Sequence, residues 1–184
     1  MALAFIFDPS NLPSKGHNGC VNCLEWSKDG SKLISGSDDL TVRIWTPLDH
    51  PVNTIPKQPI EKHVRFMTPH RMNIFDLKFM KEESQIISCA ADCAICWIDI
   101  ETESAQQLWK AEGRMKKLAT HDEWVFTAAC EDGKVYLFDL RTRNRPESAI
   151  VDQEALEHDI QPKCLDYSKR KMTLAVGYTS SVVR

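Results

Sequence analysis

Short apolar runs alternate with turn-forming residues over Gly16–Thr46. The runs CVNCLEW and KLISGS have the composition of β-strands, and TVRIW alternates with the period of two that is typical of a strand. The run SKDGS between the first two predicts a hairpin, because Gly30 can adopt a positive φ. Three short strands joined by tight turns are too small to bury both faces alone. The pattern therefore predicts one unit of a larger all-β structure.

The same pattern returns further along the chain. It is found in three more segments: Pro69–Asp99, Met115–Arg141 and the stretch that begins at Lys163. The aspartates at corresponding places, Asp39, Asp92 and Asp132, are 53 and 40 residues apart, and Ser180 follows 48 residues later. Periods of about 40–50 residues made of strands alone are typical of β-propeller blades. We expect an all-β fold with about three complete blades and part of a fourth, in an incomplete ring.

This spacing divides the chain into segments. We expect an N-terminal segment with an outer strand at 1–15, blade 1 at 16–55, an inserted loop at 56–68, blade 2 at 69–109, blade 3 at 110–141, a charged loop at 142–161 and a partial blade 4 at 162–184. The outer strand of blade 1 is expected at Val52–Ile55, because proline is tolerated at a sheet edge. The charged loop is expected to hold a short helical turn at DQEALEHD.

The stretch GH…LISGSDDLTVRIW resembles the signature of the WD-repeat family. In that family a His, a Ser or Thr, an Asp and a Trp form a hydrogen-bonded set within each blade. The resemblance assigns this structural role in blade 1 to His17, Ser35, Asp39 and Trp45.

The later repeats match the WD pattern less completely. The second has His70, Ser88 and Asp92, with Ile98 in the Trp place and Trp97 one residue early. Because strand side chains alternate, we expect Trp97 on the opposite face. The third keeps Asp132, with Ala128 and Phe138 in the Ser and Trp places. The later blades are therefore expected to depend more on apolar packing.

The Ser, His and Asp of one repeat also invite comparison with a hydrolase triad. A structural network is favoured, because the spacing recurs in successive repeats and a closed set satisfies three buried polar groups at once. The chain also lacks a G-x-S-x-G nucleophile turn. We therefore expect no enzyme activity, no catalytic residue and no cofactor.

Two CxxC pairs, Cys20/Cys23 and Cys93/Cys96, raise the alternative of a zinc site. Each pair lies in or beside a predicted strand, where residues three apart point to opposite faces, and neither pair contains a glycine for a knuckle turn. We therefore predict no metal site. The remaining cysteines, Cys89, Cys130 and Cys164, are expected to be small buried apolar residues.

The run FDLR at Phe138–Arg141 resembles the W-D-x-R box of propellers that act as substrate receptors of cullin-4 ubiquitin ligases. The resemblance implies that Phe138, Asp139 and Arg141 form a surface for the damaged-DNA-binding adaptor of the ligase. An arginine two residues after the aspartate would lie at the strand end, on the rim, where its planar fork suits a bidentate contact.

The motifs GHNGCVNCLEW, SGSDD, AAD, CEDGKVYLFDLR and KCLDYSKRKMTLAVG follow one another in this order along the chain. In this order they resemble the family of WD and tetratricopeptide repeat proteins related to the fly adipose product, and the similarity covers most of Gly16–Arg184. That family implies a seven-bladed propeller followed by helical repeats, with roles in ubiquitination, fat storage and chromatin-linked repression. The partners implied are the adaptor, an unknown protein substrate, and histones or a deacetylase. The alternative function is a ligase-independent scaffold that binds histones or corepressors through the top face of the propeller.

Composition and charge narrow these functions. The net charge of -3 argues against direct binding of nucleic acid. The apolar run at Ala2–Phe7 is far shorter than the ~20 residues that span a bilayer. Seven cysteines, an odd number, suit a reducing compartment, and we expect a cytoplasmic and nuclear location. We also expect the chain to be an N-terminal fragment of marginal stability, because an open propeller leaves strand edges unpaired.

Overall fold

A computed structural model describes residues 16–46, 62–142 and 145–180. In these ranges the chain is almost entirely β, and the strands are β1 (Val21–Trp26), β2 (Leu33–Ser37), β3 (Thr41–Thr46), β4 (Lys62–Met67), β5 (Ile74–Met80), β6 (Gln85–Ala90), β7 (Ala94–Asp99), β8 (Ser104–Lys110), β9 (Met115–Thr120), β10 (Val125–Cys130), β11 (Lys134–Asp139), β12 (Ser148–Val151), β13 (Pro162–Ser168) and β14 (Thr173–Tyr178). One short helix, α1 (Gln153–Glu157), is described between β12 and β13.

The strands form antiparallel meanders, each in chain order. Sheet 1 is β1–β4, sheet 2 is β5–β8, sheet 3 is β9–β12, and sheet 4 has the two strands β13 and β14. The first strands β1, β5, β9 and β13 neighbour one another in turn. This is the arrangement of propeller blades, and the described sheets do not close into a ring. The predicted fold class is therefore confirmed.

The hairpin between β1 and β2 shows how turn chemistry defines one blade. Ser27 N–H donates to the carbonyl of Lys32 (2.8 Å), and Gly30 has a φ of +74°. The carboxylate of Asp29 accepts from the Ser27 hydroxyl (2.7 Å) and from Ser31 N–H (2.9 Å). The hairpin predicted at SKDGS is confirmed.

Apolar side chains between neighbouring sheets form the core. Leu77 of β5 is buried among Ile34 and Val42 of sheet 1, and Leu118 of β9 is buried among Ile87 and Ile95 of sheet 2. Leu165 of β13 occupies the corresponding place against Ala129 and Val135 of sheet 3. Each sheet therefore buries its face against the sheet before it.

Trp97, which lies one residue before the Trp place of the WD pattern, points to the opposite face of its strand from Ile98. Ile98 lies in the cluster between sheets 1 and 2, whereas Trp97 packs against the cluster between sheets 2 and 3. The two side chains are on opposite faces of β7, so this prediction is confirmed.

The inserted loop predicted at 56–68 is wrong for its second half. Residues Lys62–Met67 form β4, which pairs with β3 and completes sheet 1. Phe66 is buried in the same cluster as Val42, its partner across the ladder. The strand forms because β3 would otherwise have an open edge and because Phe66 adds to the core. The strand predicted at Val52–Ile55, like the segments 1–15 and 181–184, lies outside the described residues.

The charged loop predicted at 142–161 is also wrong in part. Ser148–Val151 form β12, which pairs with β11 and gives sheet 3 its fourth strand. The predicted helical turn is confirmed as α1, where the Asp152 side chain caps the helix by accepting from Ala155 N–H (3.1 Å). The strand has no clear alternation because it is an edge strand with mostly exposed side chains.

The β5–β6 hairpin has an unusual backbone. Lys81, Glu82 and Glu83 have φ values of +45°, +51° and +65°, in the left-handed region that side chains rarely adopt. Contacts to neighbouring sheets hold this hairpin: Glu83 accepts from Lys28 N–H (2.5 Å), and Lys81 N–H donates to the carbonyl of Glu123 (2.9 Å). The strain is therefore sustained by tertiary contacts.

We expect Glu82→Asn to raise the free energy of unfolding by about 0.5 kcal/mol, because asparagine adopts positive φ at lower cost in such hairpins. Urea denaturation measures the change. Glu112→Asn is the control, since Glu112 is exposed and is not among the residues with positive φ. A loss of stability in Glu82→Asn would contradict the inference that the backbone of this hairpin is strained.

Candidate functional site

The four residues assigned to the blade 1 network lie together. His17 Nδ1–H donates to the Asp39 carboxylate (3.0 Å), and the Ser35 hydroxyl donates to His17 Nε2 (2.6 Å). Trp45 Nε1–H donates in turn to Ser35 Oγ (2.8 Å). The chain of donors is consistent only if His17 carries its proton on Nδ1. The network joins the segment before β1 to β2, to the turn between β2 and β3, and to β3.

The electrostatics of this network favour a neutral imidazole beside a charged carboxylate. Burial lowers the pKa of His17 and outweighs the opposing effect of Asp39. Burial alone would raise the pKa of Asp39, but hydrogen bonds from Thr41, Asn18 and His17 hold it well below its usual range. Ser35 is only 1% exposed, and its hydroxyl already accepts from Trp45 and donates to His17. The geometry is that of a structural network with a buried hydroxyl.

Sheet 2 carries a shorter version of the network. His70 Nδ1–H donates to Asp92 (3.2 Å), and the Ser88 hydroxyl donates to His70 Nε2 (3.0 Å). Asp92 also accepts from the backbone N–H of Arg71 (2.7 Å) and of Ala94 (3.1 Å). Ile98 cannot donate in place of the tryptophan, so the set ends at the serine.

Sheet 3 replaces the missing histidine with a residue that the sequence analysis did not identify. The Tyr136 hydroxyl donates to Asp132 (2.5 Å), and Lys134 N–H donates to the same carboxylate (3.1 Å). Burial and the neighbouring Asp132 both raise the pKa of Tyr136, which keeps its proton. The sequence signal for this replacement is a tyrosine four residues after the aspartate. The corresponding residues are Arg43 in sheet 1 and Cys96 in sheet 2, so the tyrosine is specific to sheet 3 among these sheets.

The predicted adaptor residues divide between the core and the surface. Phe138 is 1% exposed and stacks on Phe126, with ring centroids 4.8 Å apart. Asp139 ends β11, and Arg141 follows in the turn with its side chain 56% exposed. Of the three, Asp139 and Arg141 reach the surface, while Phe138 anchors the strand that carries them.

Asp139 holds the Arg141 guanidinium in place. Its carboxylate accepts from Arg141 Nε (2.9 Å), from Nη2 (2.6 Å) and from the Arg141 backbone N–H (2.9 Å). These bonds from Arg141 lower the pKa of Asp139 and raise the pKa of Arg141. In the corresponding turn of sheet 2, Asp99 accepts from Thr102 N–H (2.9 Å), and Glu101 stands where sheet 3 has Arg141. An arginine fork at a strand end thus distinguishes sheet 3 from sheet 2.

Ion pairs between neighbouring sheets were not predicted from the sequence. Lys78 of sheet 2 pairs with Glu25 of sheet 1 (3.1 Å), and Lys117 of sheet 3 pairs with Asp76 of sheet 2 (3.1 Å). Lys163 of sheet 4 reaches Glu131 of sheet 3 (3.3 Å). Asp76 also accepts from Leu118 N–H (2.9 Å). These contacts align each sheet with the next.

The cysteines show no shared metal geometry. Cys20 is exposed and Cys23 buried, while Cys93 is half-buried and Cys96 buried. Burial raises the pKa of Cys23 to about 12. Across residues 16–46, 62–142 and 145–180, no three His, Cys, Asp or Glu side chains come together to hold a metal ion.

The burial predicted for three other cysteines is correct for Cys89 and Cys130 and wrong for Cys164, which is exposed. Cys164 lies beside Gly177 on a face of sheet 4 that packs against no other described sheet. Nor does any helix among the described residues have the length and apolar character needed to cross a membrane.

Comparison with known proteins agrees with this geometry. Residues 10–46 match the family described as "WD domain, G-beta repeat". The chain is 34% identical over 177 residues to human "WD and tetratricopeptide repeats protein 1", an alignment that covers 92% of this chain and 25% of that protein. It is 33% identical to human "DDB1- and CUL4-associated factor 6", over 91% of this chain and 20% of that protein. Human "DDB1- and CUL4-associated factor 5" is 29% identical over 68% of this chain and 13% of its own length. The chain thus spans a quarter or less of the length of these relatives.

We expect Asp39→Ala to lower the free energy of unfolding by about 3 kcal/mol, because His17, Thr41 and Asn18 all lose their acceptor. Chemical denaturation measures the loss. Asp38→Ala is the matched control, since it removes one exposed hydrogen bond from Asn22. Equal losses in the two variants would contradict a central role for the network.

Acid is expected to weaken the sheet 2 network. Burial would raise the pKa of Asp92, but hydrogen bonds from His70, Arg71 and Ala94 lower it from 3.8 to about 2. A carboxylate with a depressed folded pKa stabilises the fold above its unfolded pKa, and the stabilisation is lost as the pH falls toward the folded value. Urea denaturation between about pH 5 and about pH 2 is therefore expected to show a shallower loss in Asp92→Asn than in the wild type. Identical slopes would contradict this contribution.

Proposed function

Because the chain is built of WD repeats, we propose that it is a protein-interaction scaffold that presents Arg141 to the adaptor of a cullin-4 ubiquitin ligase. In this role it acts as a substrate receptor in protein ubiquitination, without catalysis of its own. The observation that carries the proposal is the exposed Arg141 guanidinium held by Asp139 at the end of β11.

A fixed arginine suits recognition of another protein. Asp139 engages Nε and Nη2 of Arg141, which leaves Nη1 to donate to a carbonyl or carboxylate of a partner. Because the side chain is already ordered, docking costs less conformational entropy than it would for a free arginine. The stacked pair Phe126 and Phe138 keeps the strand beneath this turn rigid.

The relatives support the choice of partner. Two of them are named as factors associated with DDB1 and CUL4, and the chain aligns with one over 91% and with the other over 68% of its length. The association itself is a property of those proteins. The inference for this chain depends on whether its own Arg141 binds the adaptor.

Binding of purified DDB1 to the immobilised chain tests the proposal. We expect Arg141→Glu to weaken binding at least tenfold, about 1.4 kcal/mol, because it replaces the donor fork with a repelled carboxylate. Arg145→Glu is the matched control, since it makes the same charge change at an exposed residue between β11 and β12. Circular dichroism of each variant checks that the sheets are intact.

Two outcomes would contradict the proposal. One is that the wild-type chain does not bind DDB1, and the other is that Arg145→Glu weakens binding as much as Arg141→Glu does. The first result would favour the ligase-independent scaffold, in which the adaptor has no part, and the second would mean that Arg141 does not determine the contact with DDB1.

A further inference from the structure

The first strand of each described sheet contains a β-bulge, and the residue in the bulge has no partner in the ladder. The bulged residues are Asn22 in β1, Phe75 in β5, Lys116 in β9 and Lys163 in β13. A bulge redirects the side chain that it carries away from the regular face of the strand. The four side chains therefore occupy equivalent places, beside the turn that follows the second strand of each sheet.

In sheets 3 and 4 both bulged residues are lysines, and they converge on one carboxylate. Lys116 Nζ lies 2.8 Å and Lys163 Nζ lies 3.3 Å from the same oxygen, Glu131 Oε1. Arg114 Nε lies 3.7 Å from Glu131 Oε2, which is an ion pair longer than a hydrogen bond. Glu131 neutralises one of the three cations. These four residues therefore form a basic cluster with an excess of two positive charges.

The fold does not require this positive charge. In sheet 1 the bulged Asn22 donates to Asp38 of the following turn (2.6 Å) and to the Ile74 carbonyl (3.0 Å). In sheet 2 the bulged residue is Phe75, and the buried Ala91 stands in the turn where sheet 3 has Glu131. Sheets 1 and 2 thus form the same bulge and turn with an uncharged residue in the bulge. A concentration of like charge that the fold does not need is typical of a functional surface.

The basic cluster is held in place and is accessible to a ligand. The Lys116 ammonium lies 4.4 Å from the centre of the Phe75 ring, and Glu131 N–H donates to the Arg114 carbonyl (2.9 Å). The side chains of Arg114 and Lys163 are 56% and 40% exposed. Because β9 and β13 are neighbours, the cluster lies across a contact between two sheets of the chain itself. Its cations are therefore placed before any ligand arrives.

We propose that the basic cluster binds a phosphorylated serine or threonine of a partner protein. A phosphorylated hydroxyl carries close to two negative charges at neutral pH and three acceptor oxygens, which match the excess charge and the three cationic donors. Lys116 and Lys163 meet at one oxygen, so their charge is concentrated where a single dianion can neutralise it. A nucleic-acid strand presents a row of phosphates and favours a wide basic surface, whereas this chain has a net charge of -3.

This site is separate from the surface proposed for the ligase adaptor. Glu131 lies in the turn before β11, whereas Asp139 ends β11 and Arg141 follows it. The two sites are therefore at opposite ends of one strand. Binding of a phosphorylated partner does not require binding of the adaptor, so either proposal can fail without the other.

Fluorescence anisotropy of the full chain with three labelled peptide libraries tests the ligand. The libraries share randomised flanks and differ at one fixed residue, which is phosphorylated serine or threonine, unmodified serine or threonine, or glutamate. We expect the phosphorylated library to bind about tenfold more tightly than the other two. Equal binding of the glutamate library would overturn the proposal in favour of a carboxylate site. Displacement of the phosphorylated library by a single-stranded oligonucleotide, at a lower concentration of phosphate groups, would overturn it in favour of nucleic acid.

Single substitutions test whether the basic cluster is the site. Lys163→Gln and Arg114→Gln are each expected to weaken binding of the phosphorylated library about fivefold, because each removes one cation. Lys169→Gln is the matched control, since Lys169 is an exposed lysine at the other end of β13. Glu131→Gln is expected to tighten binding about threefold, because it removes the carboxylate that competes for the same donors.

The gain expected in Glu131→Gln separates the proposal from simple damage to the fold, which could only weaken binding. Circular dichroism of each variant checks that the sheets are intact. Equal losses in Lys163→Gln and Lys169→Gln, or weaker binding in a folded Glu131→Gln variant, would overturn the proposal.

Discussion

The structure depends on the burial of sheet faces between neighbouring blades. A four-stranded meander with two apolar faces cannot cover either face by itself, so each sheet is stable only against another sheet. Leu77, Leu118 and Leu165 carry this contact from sheet to sheet, and each is buried by the sheet before it. Ion pairs such as Glu25–Lys78, whose side chains are mostly buried between the sheets, fix how one sheet lies on the next.

The polar networks solve a second problem, which is how each turn between the second and third strands is held. An aspartate in that turn needs donors, and the three sheets supply them differently. His17 and Thr41 serve Asp39, while Tyr136 serves Asp132 from a different place on the blade. The aspartate is the common element because its carboxylate can accept from backbone and side chains at once.

The same core positions the surface through which the chain is proposed to act. Phe138 points inward and stacks on Phe126, and the next residues turn outward as Asp139 and Arg141. Because side chains alternate along a strand, a buried residue (Phe138) and a residue proposed to contact a partner (Arg141) lie within four residues of each other. Arg141 is held in its direction by Asp139 and not by the core. Packing of the strand and the side chain presented at its end can therefore vary independently between blades, and sheet 2 has Glu101 at this position.

The sequence by itself determined the repeat and the strands with clear alternation, because these follow from local spacing and turn chemistry. Its resemblance to the WD-repeat family implied the His17–Asp39 pairing, which the structure shows. It did not reveal β4 or β12, which are short, follow segments that contain proline and charged residues, and depend for their formation on pairing with β3 and β11. The ion pairs between sheets and the exposure of Cys164 were likewise decided only by the tertiary structure. The reason is physical: periodicity shows which face of a strand is apolar, but which sheet covers that face depends on contacts between residues far apart in the chain.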